Sequence, residues 1–303
     1  MFKPLDKMPH TAISRSTEFL MRVRRALTFR FWQFLALLLL SKHWKSNRPT
    51  LGFSLVAMTG KKIHRMTLQM VCSFVRAWNA IPTELIVVSD GTRSEDQIQM
   101  DFGFWKGKLI IADWMECIAS YNGDQAALGK FADGSVYGRK MAAIIHYAKS
   151  GPVLFCDSDV LWFSPLQSLP DSSCDSIKVC EDIEYSYNSS LVSAMDWGAL
   201  YSIAPRNVGV VYLNGSIELM STEIDKAIQL LSPPYEFPEQ TIMAALSRER
   251  AFWSLSEVNI TLNDLDELFT RSPKWAARHY VSNCKLKYWR DAALFNFKEL
   301  FYS

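Results

Sequence analysis

From residue 50 onward, short apolar runs alternate with stretches in which apolar residues recur every three or four positions. Phe53–Met58 reads as a first strand, followed by the turn Thr59-Gly60 and a helix through about Trp78. Glu84–Val88 reads as a second strand, closed by Ser89-Asp90-Gly91, and 108–112 as a third. Residues 137–149 have helical spacing. Val153–Cys156 is an apolar run of the kind buried on both faces of a parallel sheet. Asn207–Leu213 and a helix after Pro238 continue the series, and an aromatic, basic tail starts at Trp275. Strands alternating with helices predict an α/β fold with a mostly parallel central sheet flanked by helices. There is no internal repeat, low-complexity tract or glycine-rich phosphate loop.

The first fifty residues have a different texture. Residues 1–15 are polar and proline-punctuated, whereas Thr17–Ser41 carries an apolar stripe of Leu20, Val23, Leu27, Phe31, Phe34 and Leu38. Arg22, Arg24 and Arg25 fall off that stripe, which predicts a basic amphipathic helix. Such a helix either lies on an anionic membrane or packs on the body of the protein, and the pattern serves both. It does not predict a span: the run Phe31–Leu40 covers ten residues, where a bilayer needs about twenty. Nor does it have the form of a cleavable signal, since no small-residue cleavage site follows it.

Charge sharpens the division. The net charge is only +2, yet residues 1–50 hold ten Lys/Arg against Asp6 and Glu18. The rest is therefore mildly acidic, which disfavours nucleic acid as a partner. Hydrophobic content of 49% with 21% charged residues is ordinary for a globular chain. The expected organisation is a basic arm over 1–49 and one domain over 50–303. The six cysteines, Cys174 and Cys180 among them, show no metal-ligand spacing. They fit reduced thiols in a cytoplasmic protein, peripheral to the inner face of the membrane if the arm binds there.

The strand at 153–156 delivers Asp157 and Asp159, two carboxylates one residue apart, before the chain turns apolar again at Val160-Leu161-Trp162. Like charges at the end of a buried strand need a cation or hydrogen-bonded partners. A divalent-metal site at the carboxyl end of a central strand answers that need. In the alternative, one Asp caps the next segment and the other is solvated. Much later come His279 and, six residues on, Lys285. Two carboxylates and an imidazole suit Mn²⁺ or Mg²⁺ with a phosphate-bearing ligand, and a lysine can neutralise phosphate oxygens.

With these residues in order, the chain resembles the sugar-nucleotide glycosyltransferases of GT-A fold. It is most similar to the retaining branches that include glycogenin-like and bacterial lipopolysaccharide galactosyl- and glucosyltransferases. The resemblance spans roughly residues 52–290 and implies the following roles. Val56-Ala57-Met58-Thr59 stands where the family holds the nucleotide, which makes Ala57 and Thr59 donor-binding, with Asp90 at the end of the second strand. Lys140 takes the place of a family arginine seventeen residues before Asp157, and Arg139 is adjacent. Asn207-Val208-Gly209 resembles the Asn-x-Gly strand beside the donor sugar. Glu239-Gln240 resembles the acid-Gln pair near the reacting carbon, so Gln240, Glu239 and Asp159 form the catalytic set. His279, Ser282 and Lys285 match the closing His-x-x-Gly-x-x-Lys motif, with Ser282 replacing the glycine; Thr59 stands where many members have Asp.

The resemblance implies a metal-dependent hexosyltransferase. Asp157, Asp159 and His279 would hold Mn²⁺ or Mg²⁺, the donor would be a nucleotide-diphosphate sugar (a UDP-sugar first), and the acceptor a hydroxyl on a glycan, a lipid-linked molecule or a protein. Transfer would proceed with retention. Two other classes stay open from sequence. A phosphatase of haloacid-dehalogenase type would use Asp157 as nucleophile, although Leu161 stands where such enzymes carry Thr or Val. A catalytically silent sugar-nucleotide binding protein is the other.

Overall fold

The computed structural model describes residues 15–42, 48–119, 126–169, 176–215, 218–231, 233, 236–262, 274–281 and 284–302. Residues 1–14, Cys174 and Ser282 lie outside the described residues. In chain order the elements are α1 (Arg15–Leu38), β1 (Ser54–Thr59), α2 (His64–Trp78), β2 (Glu84–Ser89), α3 (Glu95–Phe102), β3 (Lys108–Asp113), α4 (Trp114–Ile118), α5 (Ala126–Gly134) and α6 (Val136–Ala148). The second half has β4 (Val153–Cys156), β5 (Val160–Trp162), β6 (Ser176–Glu181), α7 (Ser189–Ala194), β7 (Arg206–Asn214), α8 (Glu218–Gln229), α9 (Pro238–Leu246), β8 (Val258–Thr261), β9 (Ala277–Tyr280) and α10 (Lys285–Tyr302).

Every run expected to be a strand forms one. They join in a six-stranded sheet of order β3-β2-β1-β4-β7-β6, in which β3, β2, β1 and β4 run parallel and β7 lies antiparallel to both its neighbours. Helices cover both faces, as residues alternating along each strand require. Val56, Ile86, Val153 and Phe155 pack with α6 and α9 on one side; Leu55, Ala57, Val87 and Leu154 pack with α2 on the other. The chain steps from β1 outward to β2 and β3, then returns through α6 to lay β4 on the opposite side of β1. That reversal opens a crevice at the carboxyl ends of β1 and β4, where open α/β sheets bind ligands.

A second sheet of order β5-β9-β8 grows directly out of the turn after β4. β9 pairs antiparallel with β5, placing Val160 opposite His279, and β8 runs parallel to β9.

The N-terminal helix has a packed face. Ala36 is fully buried and, with Phe29, Trp32 and Leu35, joins a cluster built on Tyr280, Tyr288, Trp289 and Ala293 of β9 and α10. A buried amide pair fixes the junction. Asn296 Nδ2 donates to Gln69 Oε1 (3.0 Å) and to the Ala36 carbonyl (2.8 Å), and Gln69 Nε2 donates back to Asn296 Oδ1 (3.3 Å). These bonds tie α1, α2 and α10 together. Replacing Asn296 with Ala strands the Gln69 amide in an apolar environment, so N296A should destabilise the protein by about 2–3 kcal/mol in urea unfolding.

Candidate active site

Asp157 and Asp159 stand in the crevice at the end of β4. The Asp157 amide donates to the Gly209 carbonyl (2.8 Å), extending the β4–β7 pairing by one residue before the chain turns. The Asp159 carbonyl accepts from the Tyr280 amide (2.9 Å), so strand pairing delivers His279 beside the carboxylates across 120 residues of sequence. His279 Nε2 lies 3.2 Å from Asp159 Oδ1 and 3.9 Å from Asp157 Oδ2. One ligand atom from each of the three residues falls within 4.8 Å of the other two. Two oxygens and a nitrogen in that arrangement can hold a divalent cation.

The other imidazole nitrogen sets the tautomer. Nδ1 is 2.9 Å from Asn207 Oδ1, an oxygen that also accepts from the Gly209 amide (2.8 Å). The Asn207 amide cannot turn over, because its Nδ2 donates to Asp182 Oδ2 (3.1 Å). Asn207 thus presents only an acceptor to His279, which assigns the proton of the neutral ring to Nδ1 and leaves the Nε2 lone pair facing the carboxylates. Asp182 Oδ2 also accepts from Gln240 Nε2 (3.0 Å), so one carboxylate braces both the histidine support and the first turn of α9. Gly209 has a steric role: a Cβ there would overlap the His279 ring.

Opposing charges surround the pair. Lys140 is buried and places Nζ 2.8 Å from Asp157 Oδ2. Burial works against the Lys140 charge, but Asp157 and Glu239 outweigh it and hold its pKa above the ordinary lysine value. Burial likewise raises the Asp157 carboxyl, with Lys140 opposing and Asp159 reinforcing the rise. Asp159 responds differently: burial would raise it, yet the charge and hydrogen bond of His279 hold it below the usual carboxylate value. Burial would lower His279, but Asp159 and then Asp157 lift it above 6.5.

Glu239 and Gln240 are buried in the first turn of α9, reached through Phe237, a non-glycine residue at φ +47°. Burial raises the Glu239 carboxyl, opposed by Lys140. Its Oε2 and the Thr59 hydroxyl at the end of β1 are buried with no hydrogen-bond partner among the described residues. Unsatisfied polar atoms on a crevice wall are what a polar ligand would complete.

The remaining expected residues are placed less uniformly. Ala57 is fully buried within β1, with its methyl in the core under α2, so only its backbone can face a ligand. Asp90 holds its own turn, accepting at Oδ1 from the Thr92 amide (2.9 Å) and hydroxyl (2.5 Å). Arg139 donates to the carbonyls of Asp90 (2.7 Å), Ala132 (3.1 Å) and Asp133 (3.3 Å), and its guanidinium lies over the Trp114 ring. It clamps the rim of the crevice, while Lys140 faces Asp157. Lys285 is exposed at the first residue of α10. Asp182 was not anticipated. An acid after the run Val179-Cys180 was its only signal in the sequence.

No family model matches the chain, and no curated protein matches it. Solved structures do. The galactosyltransferase LgtC, determined with donor and acceptor sugar analogues, superposes with a TM-score of 0.50 at 14% identity over 80% of this chain and 95% of its own. The bifunctional glycosyltransferase WbbM gives 0.54 at 13% identity over 80% of this chain and 47% of its own. The glycosyltransferase GlyE of Streptococcus pneumoniae gives 0.50 at 14% identity over 82% and 63%. The chain has the GT-A glycosyltransferase fold. No observation on the described residues favours the phosphatase or the silent binding protein.

Two outcomes test this geometry. Gly209→Ala should push the His279 ring off Asn207, destabilise the fold by about 1–3 kcal/mol without unfolding it, and abolish any Mn²⁺-induced thermal shift. The second concerns pH in metal-free protein. Because His279 is raised when folded, the stability it adds is complete below pH 6.5 and lost as pH climbs through its folded value. Because Asp159 is depressed, its share is present above about pH 4 and lost as pH falls through its folded value. Chemical denaturation across pH should show the loss above pH 6.5, and Asp159→Asn should flatten it; in the acid range the raised Asp157 and Glu239 oppose Asp159.

Proposed function

We propose that the protein is a retaining hexosyltransferase that moves a sugar from a nucleoside-diphosphate donor, a UDP-sugar first, to an acceptor hydroxyl on a glycan, a lipid-linked molecule or a protein. The catalytic unit is residues 50–303, and α1 of the 1–49 arm packs on its α10. The observation that carries the reading is the placement of His279 Nε2, 3.2 Å from Asp159 and 3.9 Å from Asp157, with its ring braced by Asn207 in the crevice of a GT-A sheet.

Asp157, Asp159 and His279 would hold Mn²⁺ or Mg²⁺, which when bound would supply positive charge to offset the charge developing on the diphosphate as the bond to sugar C1 breaks. Lys285, together with the N-terminal end of α10, supplies positive potential for the same phosphates. The backbone of Ala57 and the Thr59 hydroxyl line the nucleotide side, where Thr59 gains the hydrogen bond it lacks. Asp90 and Arg139 shape that side, and Ser282 joins Lys285 in meeting the diphosphate. Asn207 and Gly209 border the sugar. Glu239 and Gln240 flank the reacting carbon: Glu239 as a buried carboxyl whose charge Lys140 tempers, Gln240 with its amide nitrogen held by Asp182 and its oxygen left to stabilise positive charge at C1. Neither motif aspartate would serve as a nucleophile, since both would be needed to hold the cation.

The discriminating measurement is a thermal-shift titration with UDP, with and without Mn²⁺. Ligand at about 100 times its Kd stabilises by about 2.7 kcal/mol, so a metal-dependent shift is readily read. UDP should stabilise only with Mn²⁺, Asp159→Ala should remove the response, and Lys285→Ala should weaken UDP more than uridine. A metal-independent response, or hydrolysis of a phosphate monoester that depends on Asp157, would sink the assignment.

A further inference from the structure

Packing α1 on α10 leaves its opposite face bare. Val23, Leu27, Phe31, Phe34 and Leu38 are between 38% and 67% exposed, at helical spacing along a line of roughly 22 Å. Buried Ala36 and the packed residues Phe29, Trp32 and Leu35 lie on the other side. The helix is therefore apolar on two faces, only one of which the fold uses. Single exposed apolar residues need no explanation, but a continuous stripe of five large ones does.

The surroundings of the stripe name its occupant. Arg24, Arg25 and Arg30 are exposed on the same helix, and no acidic residue occurs between positions 19 and 40. Beside the stripe an open groove of about 690 Å³ runs between α1 and α2. Phe34, Leu37 and Leu68 give it an apolar floor, and Arg30, His64 and Arg65 give it a cationic rim. Its one acid, Asp101, is paired with Arg93. Exposed Lys61 and Lys62 extend the positive edge. Among the described residues, no helix is long and apolar enough to cross a membrane. Apolar stripe, flanking arginines and a basic-edged groove match a helix lying in the plane of a bilayer rather than through it.

We infer that α1 and the α1–α2 groove dock the protein on an anionic phospholipid surface. The stripe enters the acyl region, and Arg30 and Arg65 engage headgroup phosphates. This rests on α1 and α2 alone and is independent of the donor chemistry. Only the short turn 60–63 separates the crevice end of β1 from α2, so docking brings the crevice mouth towards the lipid, where a lipid-linked acceptor is within reach.

The test is co-sedimentation of full-length protein with vesicles of phosphatidylglycerol or of phosphatidylcholine, at low and high salt. Binding should be confined to the anionic vesicles and released by salt. Phe31→Ser/Phe34→Ser should weaken it at least about tenfold, and Arg30→Glu/Arg65→Glu should remove its salt dependence. Circular dichroism and the UDP–Mn²⁺ thermal shift should not change, since none of the four residues lies in the crevice. Failure to bind anionic vesicles at low salt overturns the inference. So does equal binding by Phe31→Ser/Phe34→Ser. Light scattering that shows a stable dimer lost in that variant would instead make the stripe an interface between copies of this chain.

Discussion

Three residue pairs of strand pairing between β5 and β9 hold the site together. β5 is the direct continuation of the turn that carries Asp157 and Asp159, and β9 carries His279. Register, not side-chain attraction, therefore brings the imidazole to the carboxylates. A slip of one residue would turn His279 to the opposite face of the small sheet and put Arg278 or Tyr280 against the aspartates. The flanking residues resist such a slip. Val160, Leu161 and Trp162 are fully buried, and Tyr280 is locked by its hydroxyl to Asp291 at 2.9 Å.

Around that pairing the protein concentrates ionisable groups where solvent is scarce. Lys140, His279 and Glu239 are all buried, and Asp157 and Asp159 are about a quarter exposed. Such an assembly is a poor way to stabilise a fold, because desolvation offsets most of the attraction. Its arrangement is also asymmetric. Lys140 meets Asp157, His279 meets Asp159, and the two aspartates are pushed to opposite sides of the ordinary carboxylate value. Neighbouring carboxylates driven apart in this way mark sites that bind or transform charged ligands more often than sites that only hold structure.

The sheet strands from β1 to β4, and β7, were legible because each is an apolar run with few alternative fates. The same holds for Asp157 and Asp159, since two acids after such a run have little cheap alternative. β5, β8 and β9 were not legible. They are three or four residues long, and Ala277–Tyr280 interrupts its apolar positions with Arg278 and His279. Asp182 escaped for a different reason. Its partners Asn207 and Gln240 lie 25 and 58 residues away, and nothing local distinguishes it from any acid at a strand end. A second role of Gly209 was not legible: its backbone meets Asp157, and the absence of a side chain admits His279. The stripe on α1 was visible in sequence, but its two faces were not, because only the position of α10 determines which residues are covered.

The partnership of α1 and α10 also has a consequence for biosynthesis. The ribosome releases α1 long before it makes α10, yet Ala36, Trp32 and Leu35 have their burial partners Tyr288, Trp289 and Ala293 on that late helix. Until α10 is made, the face of α1 that it covers lacks those partners. A nascent chain in this condition is captured by whatever apolar surface it meets first, be it a chaperone, another chain or a bilayer. Completion of α10 then decides the outcome, because it sequesters one face and leaves the other. The order of synthesis thus leaves α1 open to other contacts before α10 covers its packed face.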